Sequence, residues 1–198
     1  LMRDYIEGRR ARQAKPFLLL MVTAAAVVLV GKLMLGGHVV ETALPPGYAP
    51  AIPLDDRARA AAIAFAEVGA AVGGWMNRNF AVATLLLIPL EALAFRLAFV
   101  GNGRLNYPEW LVVTAFLTVQ TLVFWGLSLP LQPWSPSAPL IAVGLAVCYE
   151  VYSLVQLFAG YPRWKTVVRT LAGLGLFGVM CTLLTFALLV VMTLSRLG

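Results

Sequence analysis

Five long apolar stretches constrain the fold of this chain more than any other feature of its sequence. The clearest is 167–194, which has no charged residue between Arg169 and Arg196. About twenty apolar residues in a helix match the ~30 Å hydrocarbon core of a bilayer. The sequence therefore predicts an all-α integral membrane protein with five transmembrane helices, the other four at 17–35, 80–100, 109–129 and 140–161.

Composition supports a membrane domain with short connections. The chain is 61% hydrophobic and 12% charged, with a mean hydropathy of +0.85, which lies well outside the composition of ordinary globular domains. Residues 1–16 are predicted as a basic juxtamembrane segment that binds anionic lipid headgroups. Residues 17–198 are predicted as a single membrane domain. The net charge of +6 comes largely from Lys and Arg residues beside the ends of the spans, where such residues set the topology. Nucleic-acid binding is not expected.

The N-terminus leaves two interpretations open. Met2 could start the natural protein behind one extra residue, or a region upstream of Leu1 could be missing. The first apolar stretch has the basic flank of a signal peptide, but it is longer than a typical signal core and lacks a good cleavage site. We therefore expect it to be a retained helix.

The connection between the first two spans, 36–79, is the longest and is predicted to lie on the outer side of the membrane. Four prolines within 36–53 exclude regular structure there. Residues 57–75 are predicted as an amphipathic helix lying in the membrane interface. A short re-entrant segment is the alternative. The apolar face of this helix comprises Phe65, Val68, Val72 and Trp75, and its polar face includes Arg59 and Glu67.

The distribution of basic residues predicts the orientation. With the N-terminus inside, the inner segments hold ten Lys and Arg residues and the outer side holds five. The connection 130–139, which carries no charge, then lies outside. Since cytoplasmic loops are enriched in Lys and Arg, an N-in, C-out topology is predicted.

Three polar residues fall near the bilayer midplane. Glu91, Gln120 and Glu150 each lie about 15–18 Å into a predicted span. An ionisable group at that depth costs at least ~2.5 kcal/mol and should face protein or water. A proton or ion relay, or a polar substrate site, is one interpretation, with Tyr149 and Tyr152 as further members. Protonated acids that hydrogen-bond across helices, or pairing with a partner protein, are the other two.

Small residues predict helix-packing faces. The run 173–178 (GLGLFG) spells a dinucleotide-binding pattern, but that pattern needs a soluble βαβ unit, and here it lies inside a span. A packing stripe is the better interpretation, because small residues let helix backbones approach closely. The stripe comprises Gly175, Gly178, Thr182 and Thr185, and Gly144 with Cys148 forms a weaker pair in the fourth span.

The residues that catalysis or cofactor binding usually requires are scarce. His38 is the only histidine, so the chain cannot supply two axial histidines to a haem, although one axial ligand to a pigment is an alternative. Cys148 and Cys181 lie inside spans, without histidines for a zinc site. No metal site, cofactor or catalytic group is therefore predicted, and the chain is not expected to be an enzyme. A membrane enzyme would need residues from a partner or from a missing N-terminus.

Three segments resemble a bacterial inner-membrane family of unknown function. They are 4–17 (DYIEGRRARQAKPF), 85–110 (LLLIPLEALAFRLAFVGNGRLNYPEW) and 161–170 (YPRWKTVVRT). In that family a zinc ribbon commonly precedes the first span, and a later span follows a Tyr-x-Glu-His motif. Here Tyr107, Pro108 and Glu109 are followed by Trp110 instead of histidine. The resemblance implies a multi-pass protein of the bacterial inner membrane and names no activity.

Two functions remain as hypotheses. The first is a non-catalytic structural or accessory subunit that docks onto a larger inner-membrane complex through its small-residue faces. The second is a small transporter or lipid-handling protein that uses Glu91 and Glu150.

Overall fold

The computed structural model describes residues 15–35, 55–101, 105–135 and 137–197. These ranges are helical apart from short turns and contain no β-strand. Most of the basic segment 1–16, the loop 36–54 and His38 lie outside the described residues. The six α-helices are α1 (Pro16–Leu35), α2 (Asp56–Arg78), α3 (Phe80–Ala98), α4 (Tyr107–Ser128), α5 (Ala138–Leu157) and α6 (Arg163–Leu197).

Five of these helices, all except α2, are long and apolar enough to cross a membrane. This confirms the all-α class and the number of apolar helices predicted from the sequence. The helix ends differ by a few residues from the predicted spans. α5 ends at Leu157 rather than near 161, because the chain turns at Gly160, whose φ of 104° lies in the left-handed region. α6 begins at Arg163 rather than 167.

The N-terminus of α4 shows how local sequence sets a helix boundary. The backbone N–H of Asn106 donates to Oε2 of Glu109 at 2.6 Å. Pro108 stands in the first turn, where its missing N–H leaves no intrahelical bond unmade. A 3₁₀ turn, Leu129–Leu131, follows the other end of α4.

Helix α4 lies at the centre of the bundle and packs against α1, α3 and α5. One apolar cluster joins α1, α3 and α4, and a second joins α3, α4 and α5. The members of the first are Leu20, Ala24, Val27, Phe80, Ile88, Ala115, Val119, Leu122 and Leu129. The members of the second are Ala92, Phe95, Phe99, Trp110, Val113, Leu117 and Leu154.

Aromatic pairs show how the helices run. Phe80, at the start of α3, contacts Trp125 near the end of α4, with ring centroids 5.7 Å apart. At the opposite end of the bundle, Phe99 lies 5.2 Å from Trp110 and 5.0 Å from Phe158 between ring centroids. α3 and α4 are therefore antiparallel, and α5 ends beside the end of α3. We call these two ends of the bundle the Trp125 end and the Trp110 end.

The predicted amphipathic segment is a helix, although it is longer than expected at its C-terminus. α2 continues to Arg78 and packs against α6. Val68 is fully buried, and Arg59 and Glu67 are exposed, as predicted for the apolar and polar faces. Trp75, which was predicted on the apolar face, is 42% exposed. Asn79 links α2 to α3: its N–H donates to the carbonyl of Trp75 at 2.9 Å. The location of α2 in the membrane interface remains a prediction.

Helix α6 is the longest of the described helices and lies mainly along α3. Its 35 residues extend over about 52 Å, well beyond the ~30 Å hydrocarbon core. The close contact with α3 occurs at Gly173, where an added Cβ would lie 2.8 Å from the ring of Phe95. Glycine at this position allows the two helix backbones to approach.

Candidate functional site

Two glutamates lie buried inside the bundle, on the two helices α3 and α5 that pack against α4. Glu91 on α3 is 7% exposed, and Glu150 on α5 is 4% exposed. Their carboxyl groups are close enough to interact electrostatically. An acid exposed to lipid is energetically costly, so acids in apolar helices are expected to be buried inside the protein, as these two are. We call this pair, together with its hydrogen-bonding partners, the carboxyl site.

Two threonines of α4 contact the carboxyl groups. Thr118 Oγ1 lies 2.9 Å from Oε2 of Glu91, and Thr121 Oγ1 lies 2.5 Å from Oε1 of Glu150. Residues three apart on a helix lie on one face, so a single stripe of α4 serves both acids. These threonines were not among the residues predicted for the site. Their position beside Gln120 in an otherwise apolar helix could have indicated them.

Each of these hydroxyl groups also lies near a backbone carbonyl of its own helix. Thr118 Oγ1 is 2.9 Å from the carbonyl oxygen of Thr114, and Thr121 Oγ1 is 3.2 Å from that of Leu117. The second oxygen of Glu150, Oε2, is buried without a hydrogen-bond partner within the described structure. The carboxyl site is therefore only partly satisfied by the groups around it.

The other polar residues predicted near the midplane lie elsewhere. Gln120 is half-buried, and its Oε1 accepts a hydrogen bond of 3.3 Å from Ser153 on α5. Tyr149 and Tyr152 are 44% and 58% exposed, and their rings contact each other. The two tyrosines therefore lie on the outer surface of α5 rather than among the buried groups around Glu150.

Helix α6 also borders the carboxyl site. The thiol of Cys181 is half-buried and lies within electrostatic range of Glu91. Cys148, in contrast, is exposed on α5. The described residues contain no group of three or more His, Cys, Asp or Glu side chains that could hold a metal ion.

The predicted packing stripe faces away from the rest of the chain. Gly175, Gly178, Thr182 and Thr185 are all exposed. A Cβ added at Gly175 or Gly178 would meet nothing within 4 Å, and the same holds for Gly144 on α5. The two predicted packing faces therefore do not meet each other within the described chain. The glycines that do make close contacts with another helix lie outside the predicted stripe: Gly173 contacts Phe95 on α3, and Gly126 on α4 contacts Val27 on α1.

The fold and the site together define a helical-bundle protein with five apolar helices and a pair of buried acids. Comparison of the chain with protein-family models, curated proteins and solved structures gave no match. The resemblance to an inner-membrane family therefore stays a prediction from the sequence, and the function is inferred from the geometry of this chain.

Proposed function

We propose that this protein is a non-catalytic structural or accessory subunit of a larger complex in the bacterial inner membrane. The observation that carries the proposal is the outward-facing stripe of α6, formed by Gly175, Gly178, Thr182 and Thr185. The expected topology is N-in, C-out, with the basic segment 1–16 on anionic headgroups.

Helix α6 is far less covered by the chain than the central helix. Only 6% of the most apolar stretch of α6 is buried, compared with 44% for α4. In the Trp125-end half of α6, every residue from 182 to 188 is exposed. The outward face of this helix, including all of 182–188, is therefore available to lipid or to another protein.

The shape of the exposed face favours another helix. Leu171, Val179 and Leu183 are each at least 50% exposed and stand beside the glycines. The glycines leave a groove between these larger side chains, because they have no Cβ. Apolar area gives no preference for protein over lipid inside a membrane, but close packing at small residues does. A helix of a partner subunit therefore fits this stripe.

The test is extraction from the native membrane in a mild detergent, followed by identification of the proteins that co-purify. Gly175→Leu and Gly178→Leu should greatly reduce the recovery of a co-purifying assembly. A Cβ added at either position meets nothing within 4 Å, so we expect the chain's own packing to be kept. Leu184→Phe, an enlargement on another face of α6, is the matched control and should retain the partner. Recovery of the wild-type chain only as a free monomer or homo-oligomer would contradict the proposal.

The carboxyl site favours a second candidate, a small transporter or lipid-handling protein. Buried acids in membrane helices commonly mark ion or proton pathways. Glu91→Gln and Glu150→Gln should then abolish transport while the chain still folds. Under the accessory-subunit proposal the same variants should leave assembly nearly intact, so the two candidates are distinguishable.

A further inference from the structure

We propose that Glu91 and Glu150 form a buried proton-binding site, in which the carboxyl groups are held as neutral acids by Thr118 and Thr121. The inference does not depend on the docking proposal, because it concerns only groups inside the bundle. The ligand of the site is the proton itself.

The hydroxyl group of Thr118 has two hydrogen-bond acceptors within reach. Its Oγ1 lies 2.9 Å from two acceptors, Oε2 of Glu91 and the carbonyl oxygen of Thr114. A hydroxyl group carries one hydrogen but can also accept. If Glu91 is a neutral acid, its O–H donates to Thr118, and the hydrogen of Thr118 goes to the carbonyl. Both short contacts are then full hydrogen bonds.

The hydroxyl group of Thr121 likewise lies between a carboxyl oxygen of Glu150 and a backbone carbonyl. Thr121 Oγ1 lies 2.5 Å from Oε1 of Glu150 and 3.2 Å from the carbonyl oxygen of Leu117. If Glu150 is a neutral acid, its O–H on Oε1 donates to the hydroxyl oxygen of Thr121, and the hydrogen of Thr121 goes to the backbone carbonyl.

The unpartnered oxygen of Glu150 provides an independent observation. Oε2 is buried and has no hydrogen-bond partner in the described structure, and the residue is only 4% exposed. In a carboxylate this oxygen would carry half of a negative charge with no donor, which is unfavourable in an apolar interior. In the neutral acid it is a carbonyl oxygen, and an under-satisfied carbonyl is tolerated more readily.

The charged groups around the pair also favour a neutral acid. The titratable groups that act on the site are the two acids themselves, from α3 and α5, and the Cys181 thiol from α6. α4 contributes the hydroxyl groups of Thr118 and Thr121. Two carboxylates within electrostatic range repel each other, so binding a proton to either one relieves the repulsion.

The threonines also allow the hydrogen bonds to rearrange without a change of backbone when an acid gives its proton to bulk water. The electron pair of the O–H bond stays on the carboxylate. The threonine hydrogen then rotates from the backbone carbonyl to the carboxylate oxygen, which already lies within 2.9 Å at Glu91. Each threonine is thus an acceptor in one state and a donor in the other.

Infrared spectroscopy of the purified protein at neutral pH tests this proposal. Buried neutral acids have a carbonyl stretch that is separate from the bands of carboxylates and amides. We expect this band in the wild type, a partial loss in Glu91→Gln or Glu150→Gln, and complete loss in the double variant. Glu67→Gln, at an exposed position on α2, should leave it unchanged. Absence of the band from the folded wild type, or its persistence in the double variant, would overturn the proposal.

A second measurement needs no variant. Dicyclohexylcarbodiimide adds to neutral carboxyl groups in apolar surroundings, and peptide mass spectrometry locates the adducts. Glu91 and Glu150 should be modified in the native protein, and the exposed Glu67 should remain unmodified. Absence of adducts from both buried acids would also overturn the proposal.

Discussion

Replacing Thr121 by Val tests the protonation state of Glu150 through stability. Val has nearly the same volume as Thr but lacks the hydroxyl group that lies 2.5 Å from Oε1 of Glu150. Oε2 of the same carboxyl already lacks a partner in the described structure. Thr121→Val therefore removes the hydrogen bond that the described residues provide to this carboxyl group.

The two protonation states predict different losses of stability. If Glu150 is neutral, the variant leaves one O–H group without an acceptor, which costs about 1–3 kcal/mol. If Glu150 is ionised, the variant leaves a buried carboxylate with no donor at all, and the expected loss is about 3–5 kcal/mol. The neutral acid of the proposed proton site predicts the smaller loss.

The assay is reversible unfolding in detergent micelles with increasing dodecyl sulfate, followed by helical circular dichroism. Thr121→Val is made both in the wild type and in Glu150→Gln, since the amide of Gln resembles the neutral acid. The free energy of unfolding should fall by a similar amount in both backgrounds. Thr182→Val is the matched control, because the Thr182 hydroxyl donates to the Gly178 carbonyl on an exposed face. It should change stability by less than about 0.5 kcal/mol.

The refuting result is a strong coupling between the two positions. A loss above about 3 kcal/mol in the wild type that shrinks to about 1 kcal/mol in Glu150→Gln would show an ionised Glu150. The hydrogen-bond account of the carboxyl site would then be wrong.

Two further predictions follow from packing and exposure. Gly173→Ala should lower the free energy of unfolding by about 1–3 kcal/mol, because its Cβ would lie 2.8 Å from Phe95. Gly175→Ala, where nothing lies within 4 Å, should leave stability unchanged or slightly raised in the same unfolding assay. In detergent, a maleimide should modify Cys148 faster than Cys181, because only Cys148 is exposed. Equal rates, measured by mass spectrometry over time, would contradict the described packing of α6.

The number and type of helices could be predicted from the sequence because the bilayer fixes the length of an apolar helix. The residues at which the helices begin and end could not be predicted exactly, because hydropathy depends on apolar side chains and not on whether the backbone is helical. α6 starts at Arg163 although its first turn contains Arg163 and Lys165. Charged residues at a helix end do not interrupt its backbone hydrogen bonds, so the helix continues where the apolar pattern stops.

The candidate site was only partly predictable for a different reason. Depth in a span singled out Glu91 and Glu150, because a buried acid is costly wherever it lies. The sequence could not show that Thr118 and Thr121 bind them, since partners on another helix depend on how the helices rotate against each other. Tyr149 is next to Glu150 in sequence, yet adjacent helical residues face different directions.

Helix faces present the same problem. Periodicity places Gly175 and Gly178 on one stripe, but periodicity alone does not tell which way a stripe points. The structure turns this stripe outward and uses Gly173 for the contact with Phe95. The docking role of the stripe therefore remains a prediction, to be tested with the leucine variants described above.

Labelling of the two turns that flank α5 tests most directly whether these helices span a membrane. Ser137 precedes α5 at the Trp125 end, and Ala159 follows it at the Trp110 end; both are exposed. Single cysteines are placed there in a chain with Cys148→Ser and Cys181→Ser, and spheroplasts are treated with a membrane-impermeant maleimide. Ser137→Cys should react in intact spheroplasts, and Ala159→Cys should react only after the membrane is opened. Equal reaction of both sites in intact spheroplasts would contradict a membrane-spanning bundle.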